Sequence, residues 1–223
     1  MQPDQPLASD DQEATPPDAL LEASATRKRP KPGERRIQIL QALAAMLERP
    51  AAERITTAAL AAQLDVSEAA LYRHFASKAQ MFEGLIAFIE ESVFTLANQI
   101  VEREQPAGPG AGARQCAIIV TMLMQFAERN PGMARVMVGD ALVFENERLQ
   151  ARMNQFFDKI EATLRQCLRA TADPTAPTPT ADAQLRAAVL AAFVTGRLQR
   201  FVRSGFKRLP SEHIDSSLAL MLG

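Results

Sequence analysis

The chain has no tryptophan, one tyrosine, two histidines and two cysteines among its 223 residues. So few polar rings and thiols leave little material for a metal centre or a nucleophilic triad, and neither His74 nor His213 has an obvious nucleophile partner. Cys116 and Cys167 both stand in apolar helical contexts, which predicts two buried thiols rather than a disulfide or a metal site. Glycine is scarce as well, and its one dense run, "GPGAG" at 108–112, follows no strand, so it reads as a turn rather than a phosphate-cradling loop. Catalytic residues, metals and cofactors are therefore not expected. A long apolar run is also missing: "CAIIVTMLMQFA", from Cys116, is about a dozen residues where roughly twenty would span a bilayer. The amino terminus lacks the apolar core of a signal peptide, and a cytoplasmic protein is the expectation.

What is present is ordinary for a globular chain, with 47% hydrophobic and 23% charged residues, but the charge is unevenly laid out. Residues 1–26 carry Asp4, Asp10, Asp11, Glu13, Asp18 and Glu22 without a base, a composition that predicts a disordered acidic tail. The sign reverses in "RKRPKPGERR", residues 27–36, which reads equally as a nucleic-acid contact arm or as a solvated linker. Apolar residues then recur at helical spacing to the end, with no period-two stretch, so the fold class is all-α. The spacing predicts helices over about 34–49, 57–63, 67–75, 77–104, 114–129, 131–138, 144–170, 182–203 and 211–222. Two breaks fall at "QPAGPGAGA" and "TADPTAPTPT". The expected organisation is a tail and arm over 1–33, a headpiece over 34–78 and a helical body over 79–223.

The stretch "ITTAALAAQLDVSEAALYRHFASKAQMFEGL", residues 55–85, holds the only tyrosine and one of the two histidines. Thr56 or Thr57 can cap one short helix, Ser67 a second and Ser77 a long third. Two short helices joined by a four-residue turn around Asp65 make a helix-turn-helix, whose second helix fits the major groove of DNA. Ala59, Leu60, Leu64, Val66, Ala70 and Leu71 would hold the pair together. Ser67, Glu68, Ala69, Tyr72 and Arg73 would then face outward, supplying small residues for close approach, a ring for thymine methyls or sugar, and a base-reading guanidinium. His74 and Lys78 fall where phosphates pass. The competing reading is that Tyr72 and His74 only shield the hinge. With Thr56 and Thr57 these residues form the candidate DNA-contacting set.

The same stretch resembles the amino-terminal DNA-binding domain of the TetR family of regulators. That resemblance implies a three-helix headpiece, a helical carboxyl domain acting in dimerisation, and a homodimer on a palindromic operator. Further along, "FAERNPGMARVMVGDALVFENERLQARMNQFF" and "RFVRSGFKRLP" resemble the nucleoid occlusion members of that family. This implies a nucleoid-associated division inhibitor that binds chromosomal sites and, while bound, engages the carboxyl-terminal tail of FtsZ and blocks Z-ring assembly. The matching positions for the tail-binding groove are Phe88, Met122, Arg129 and Asn130. On chemistry alone Phe88 can equally be core, and Asn130 can merely cap a helix that Pro131 restarts. The acidic tail, the glycine-rich linker and the proline-rich loop depart from the pattern.

A ligand-released repressor is the alternative and would want a roomy pocket with convergent polar groups. Leu, Met, Ala, Val and Phe fill the carboxyl half instead, which predicts solid core. The helix from Asp182 is apolar over a broad face, through Leu185, Val189, Leu190, Phe193, Val194, Leu198, Phe201 and Val202, with Gly196 midway. That width predicts service to its own core and to a partner helix, with Val194 and Leu198 assigned to the dimer.

Overall fold

The computed structural model describes residues 33–49, 55–104, 108, 110–170 and 179–223. Among these there are nine α-helices, one 3-10 turn and no strand, and the all-α expectation holds. The acidic tail, residues 27–32 of the basic stretch and most of the proline-rich loop lie outside the described residues. The helices are α1 (Glu34–Leu47), α2 (Thr57–Gln63), α3 (Glu68–Tyr72), α4 (Lys78–Arg103), α5 (Ala111–Arg129), α6 (Pro131–Met137), α7 (Glu147–Ala170), α8 (Pro179–Arg203) and α9 (Ile214–Leu222). The 3-10 turn, Asp140–Leu142, stands between α6 and α7. α8 starts three residues before the expected position because Pro179, with φ already fixed and no amide to satisfy, is tolerated in a first helical turn.

Three caps form as the sequence predicts. The hydroxyls of Thr56, Ser67 and Ser77 accept from the backbone amides of Ala59, Ala70 and Gln80 at 3.1, 3.3 and 3.2 Å. α2 ends on Asp65 in the left-handed region (φ 52°), which turns the chain so that the Val66 amide reaches back to the Ala61 carbonyl at 3.0 Å. Leu60, Ala61, Leu71 and Phe75 close the inner face of the headpiece. Ala61 takes the place assigned to Ala59, which is exposed, because residue 61 follows Leu60 onto the buried side of the helix.

One continuous core runs from headpiece to body. α4 carries Met81, Phe82, Leu85, Ile86, Ile89 and Val93 into it, against Ile119, Val120 and Leu123 of α5 and Phe156, Ile160 and Leu164 of α7, all fully buried. The rings of Phe94, Phe156 and Phe157 stack edge to face, with centroids 5.6 and 5.2 Å apart. By length and composition α4 is apolar enough to cross a membrane, and it exceeds the run at Cys116 in that respect. Its apolar side faces the core, however, and Glu83 and Glu90 pair with Arg148 and Arg152 of α7 at 2.8 and 2.6 Å. Both cysteines are buried and free. Hydrogen bonding with Cys167 and burial hold the Cys116 thiol protonated, and it donates to the Leu164 carbonyl at 3.4 Å.

α8 divides its apolar surface in two. Val194 and Leu198 are 0% exposed within this one chain, so they are core residues, which corrects their assignment to a dimer. The outer stripe is Leu185 (65% exposed) and Val189 (44%), continuing through Ala192 and Gly196.

α6 lies on α1 at backbone contact. A Cβ on Gly132 would stand 2.0 Å from the Ala44 carbonyl oxygen, and neither atom belongs to a flexible side chain. Arg135, one turn on, donates to the Leu47 carbonyl at 3.2 Å and to Asp140 at 2.7 Å. Gly132→Ala should therefore push α6 off α1 and destabilise the fold by about 1–3 kcal/mol, lowering Tm by roughly 2–4 °C per kcal/mol in thermal melting.

Candidate nucleic-acid interface

α3 is a short helix set across α2 and held by one polar contact and an apolar inner face. Thr57 donates its hydroxyl to the Glu68 carboxylate at 2.5 Å, bridging the starts of the two helices. These two residues of the candidate set are thus bound to each other, and the bridge holds an anionic side chain that would otherwise repel phosphate. Ser67 is engaged as a cap, while Ala69, Tyr72 (45% exposed) and Arg73 project outward. Helical spacing explains the division: Leu71 and Phe75 point inward, which leaves 69, 72 and 73 on the other side. Ala69, Tyr72 and Arg73 thus share the exposed side of α3.

His74 is half-buried, and its carbonyl accepts from Arg36 of α1 at 2.6 Å. The Arg36 guanidinium also lies 4.1 Å from the Phe75 ring centroid. Part of the basic arm's charge is therefore fixed at the foot of the recognition helix, a position that sequence reasoning did not assign. Lys78 is engaged differently from the expectation. Its ammonium pairs closely with Glu145 in the loop before α7 and lies 5.6 Å from the Phe82 ring. A phosphate at this point competes with Glu145 for the same cation.

The candidate partner residues lie on the body. Phe88 is 43% exposed on α4, so it is not core. Met122 is partly buried on α5. Arg129 is exposed in the last turn of α5, with no hydrogen bond or ion pair among the described residues. The Asn130 amide donates to the Phe126 carbonyl at 2.8 Å, the capping role that its place before Pro131 allowed. Met122 also lines an open surface groove of about 680 Å³ between α5 and α9, with Ile118, Gln125, Leu218 and Leu222; the other three candidates do not reach it. Among the described residues no His, Cys, Asp or Glu cluster could hold a metal ion.

Residues 39–85 match the model of bacterial regulatory proteins of the tetR family, and residues 113–222 match an SlmA-like tetracyclin repressor-like C-terminal domain. The nucleoid occlusion factor SlmA of Idiomarina loihiensis is 49% identical over 187 residues, covering 84% of this chain and 93% of that protein. That of Vibrio cholerae is 50% identical over 188 residues, covering 84% and 93%. This chain belongs to the SlmA family of nucleoid occlusion factors, within the TetR family. The TetR fold is also that of a transcriptional regulator from Rhodococcus sp. Rha1 (TM-score 0.66, 19% identity, covering 84% of this chain and 94% of that one). FadR of Bacillus subtilis, solved with stearoyl-CoA, superposes at a TM-score of 0.64 with 14% identity, covering 84% and 97%. At these identities the likeness is one of fold alone.

Within this SlmA-family headpiece, reading and holding should separate by mutation. Tyr72→Ala and Arg73→Ala should narrow the gap between operator and random DNA by about 1–3 kcal/mol per base contact in competition binding, with Tm unchanged. Lys78→Ala should weaken both DNAs alike and also lower Tm, because it strands Glu145. Equal losses from all three substitutions would make α3 a structural element only.

Proposed function

We propose that this protein is a DNA-bound nucleoid occlusion factor. A homodimer binds palindromic chromosomal sites through Ala69, Tyr72 and Arg73, with Ser67, Thr56, Thr57, Glu68 and His74 framing the contact and Lys78 at the phosphates. While bound, it takes the carboxyl-terminal tail of FtsZ and inhibits Z-ring assembly over the nucleoid. The observation that carries this reading is the identity of 49–50% to SlmA proteins across headpiece and body together. The headpiece over 34–78 would supply the DNA address and the body over 79–223 the partner surface.

The dimer forms across the outer stripe of α8, with α9 contributing its exposed Leu220. Two recognition helices then stand roughly 34 Å apart, one helical turn of DNA. Val189→Asp should give a folded monomer in sedimentation that has lost operator binding. Val194→Asp buries a charge in the subunit core and should unfold the chain instead, and that contrast tests which face of α8 meets the partner.

For FtsZ, Phe88 offers exposed and Met122 partly buried apolar surface, and Arg129, without a partner among the described residues, offers a fork for a carboxylate or backbone carbonyl. Asn130 holds the α5–α6 corner in shape. Arg129→Glu should leave operator affinity and Tm unchanged while abolishing binding of an FtsZ tail peptide and the DNA-stimulated loss of FtsZ polymer in pelleting. Wild-type protein that binds its operator but never the tail would place the chain among ordinary repressors.

A further inference from the structure

Residues 197–208 hold Arg197, Arg200, Arg203, Lys207 and Arg208 with no acidic residue among them. Arg197 is occupied, donating to the Glu212 carbonyl and packing over Phe193. The side chains of Arg203, Lys207 and Arg208 are exposed, as is Arg200, and none of the four has a hydrogen bond or ion pair among the described residues. The acids nearby are taken or turned away: Asp140 is held by Arg135, and the Glu212 carboxylate faces His213.

The backbone that carries these cations is rigid. α8 closes with the Gly205 amide on the Val202 carbonyl and the Phe206 amide on the Phe201 carbonyl, both at 3.0 Å, while the Phe206 and Phe201 rings pack with centroids 5.2 Å apart. Gly205 (φ 62°) and Phe206 (φ 65°) are both left-handed. The Ser204 hydroxyl then accepts the amides of Lys207 and Arg208 at 3.1 and 2.9 Å, fixing where their side chains leave the chain.

This turn stands at the end of the body from which the headpiece hangs. α7 and α8 run antiparallel: Gln184 meets Glu161 and Arg165 at one end, while Gln150 shares a cleft with Gln199, Val202 and Arg203 at the other. Asp140 and Val143 line that same cleft, and Glu145, two residues beyond Val143, holds Lys78 at the start of α4 directly after the recognition helix. Unpaired cations on a fixed turn, at the DNA-facing end, beside the lower edge of the α8 dimer stripe, would repel their copies across a two-fold axis. A polyanion there relieves the repulsion.

We propose that the basic turn formed by Arg200, Arg203, Lys207 and Arg208 is a second nucleic-acid contact, binding the phosphate backbone of the duplex that the recognition helices read. It rests on the DNA-binding reading above and adds affinity without sequence preference. The test compares wild type with the Lys207→Gln/Arg208→Gln double variant on an operator duplex and a random duplex of equal length, across a salt series. Because the double variant removes four cations from each dimer, the slope of log affinity against log salt should fall by roughly three to four units, leaving the operator-to-random ratio unchanged. The swap Lys207→Arg/Arg208→Lys should keep the wild-type slope. A photo-crosslinker on Lys207→Cys, selective because both native thiols are buried, should capture the duplex. An unchanged slope, or operator-bound protein that never crosslinks, overturns the proposal. So does a turn that binds polyglutamate while the DNA slope stays put, which would make it a dock for an acidic protein. Wild type with no DNA affinity at all would overturn instead the reading on which this one rests.

Discussion

The contact on which the rest of the structure depends is the one between Gly132 and Ala44. There the backbones of α6 and α1 approach so closely that no side chain fits between them. Two helices at that separation cannot slide independently, since each carbonyl and Cα meets backbone rather than a side chain that could rotate away. Arg135 extends the joint by capping the end of α1 through the Leu47 carbonyl while holding Asp140. Gly84 of α4 makes a milder close approach, where a Cβ would meet the side chains of Phe75 at 3.0 Å and Leu40 at 3.2 Å. α3 packs on α2 and leads into Phe75, which meets Arg36 of α1 and the Gly84 position of α4, and α1 and α4 in turn pack on the body.

That arrangement joins the two proposed activities physically. Lys78 lies at the exit of the recognition helix and is paired with Glu145, sixty-seven residues later in the chain. A phosphate drawing on Lys78, as proposed, would act on the loop that opens α7, and α7 packs on α4, α5 and α8. The exposed surfaces of α4 and α5 that carry Phe88 and Arg129 belong to helices whose inner faces share that core. The proposed DNA site and the proposed partner surface are thus joined through contacts within a single chain.

What was legible in the sequence is what neighbouring residues decide. The caps at Thr56, Ser67 and Ser77 each involve an amide three residues away, and each formed as expected. The outward placement of Tyr72 and Arg73 follows from the inward placement of Leu71 and Phe75 within the same turn. What was not legible depends on distant partners. Nothing near Lys78 announces Glu145, and nothing near Thr57 alone shows that its hydroxyl goes to Glu68 rather than to a helix amide. The residues proposed to meet FtsZ were named by resemblance, because Phe88 on an apolar helix gives no local sign of whether it faces core or solvent.

α8 shows the limit most clearly. Its apolar positions cover most of its circumference, and periodicity identifies such a helix as doubly buried without telling which arc meets its own subunit. The fold decides by burial: Leu190, Val194, Leu198 and Phe201 pack into the core with α7, whereas Leu185, Val189, Ala192 and Gly196 stay exposed on the outer arc. Ala192 and Gly196, following the exposed Leu185 and Val189 along the same stripe, suit close approach of a second helix of the same kind. Exposure, rather than hydrophobicity itself, separates the arc of α8 that this chain leaves free from the arc that holds it together.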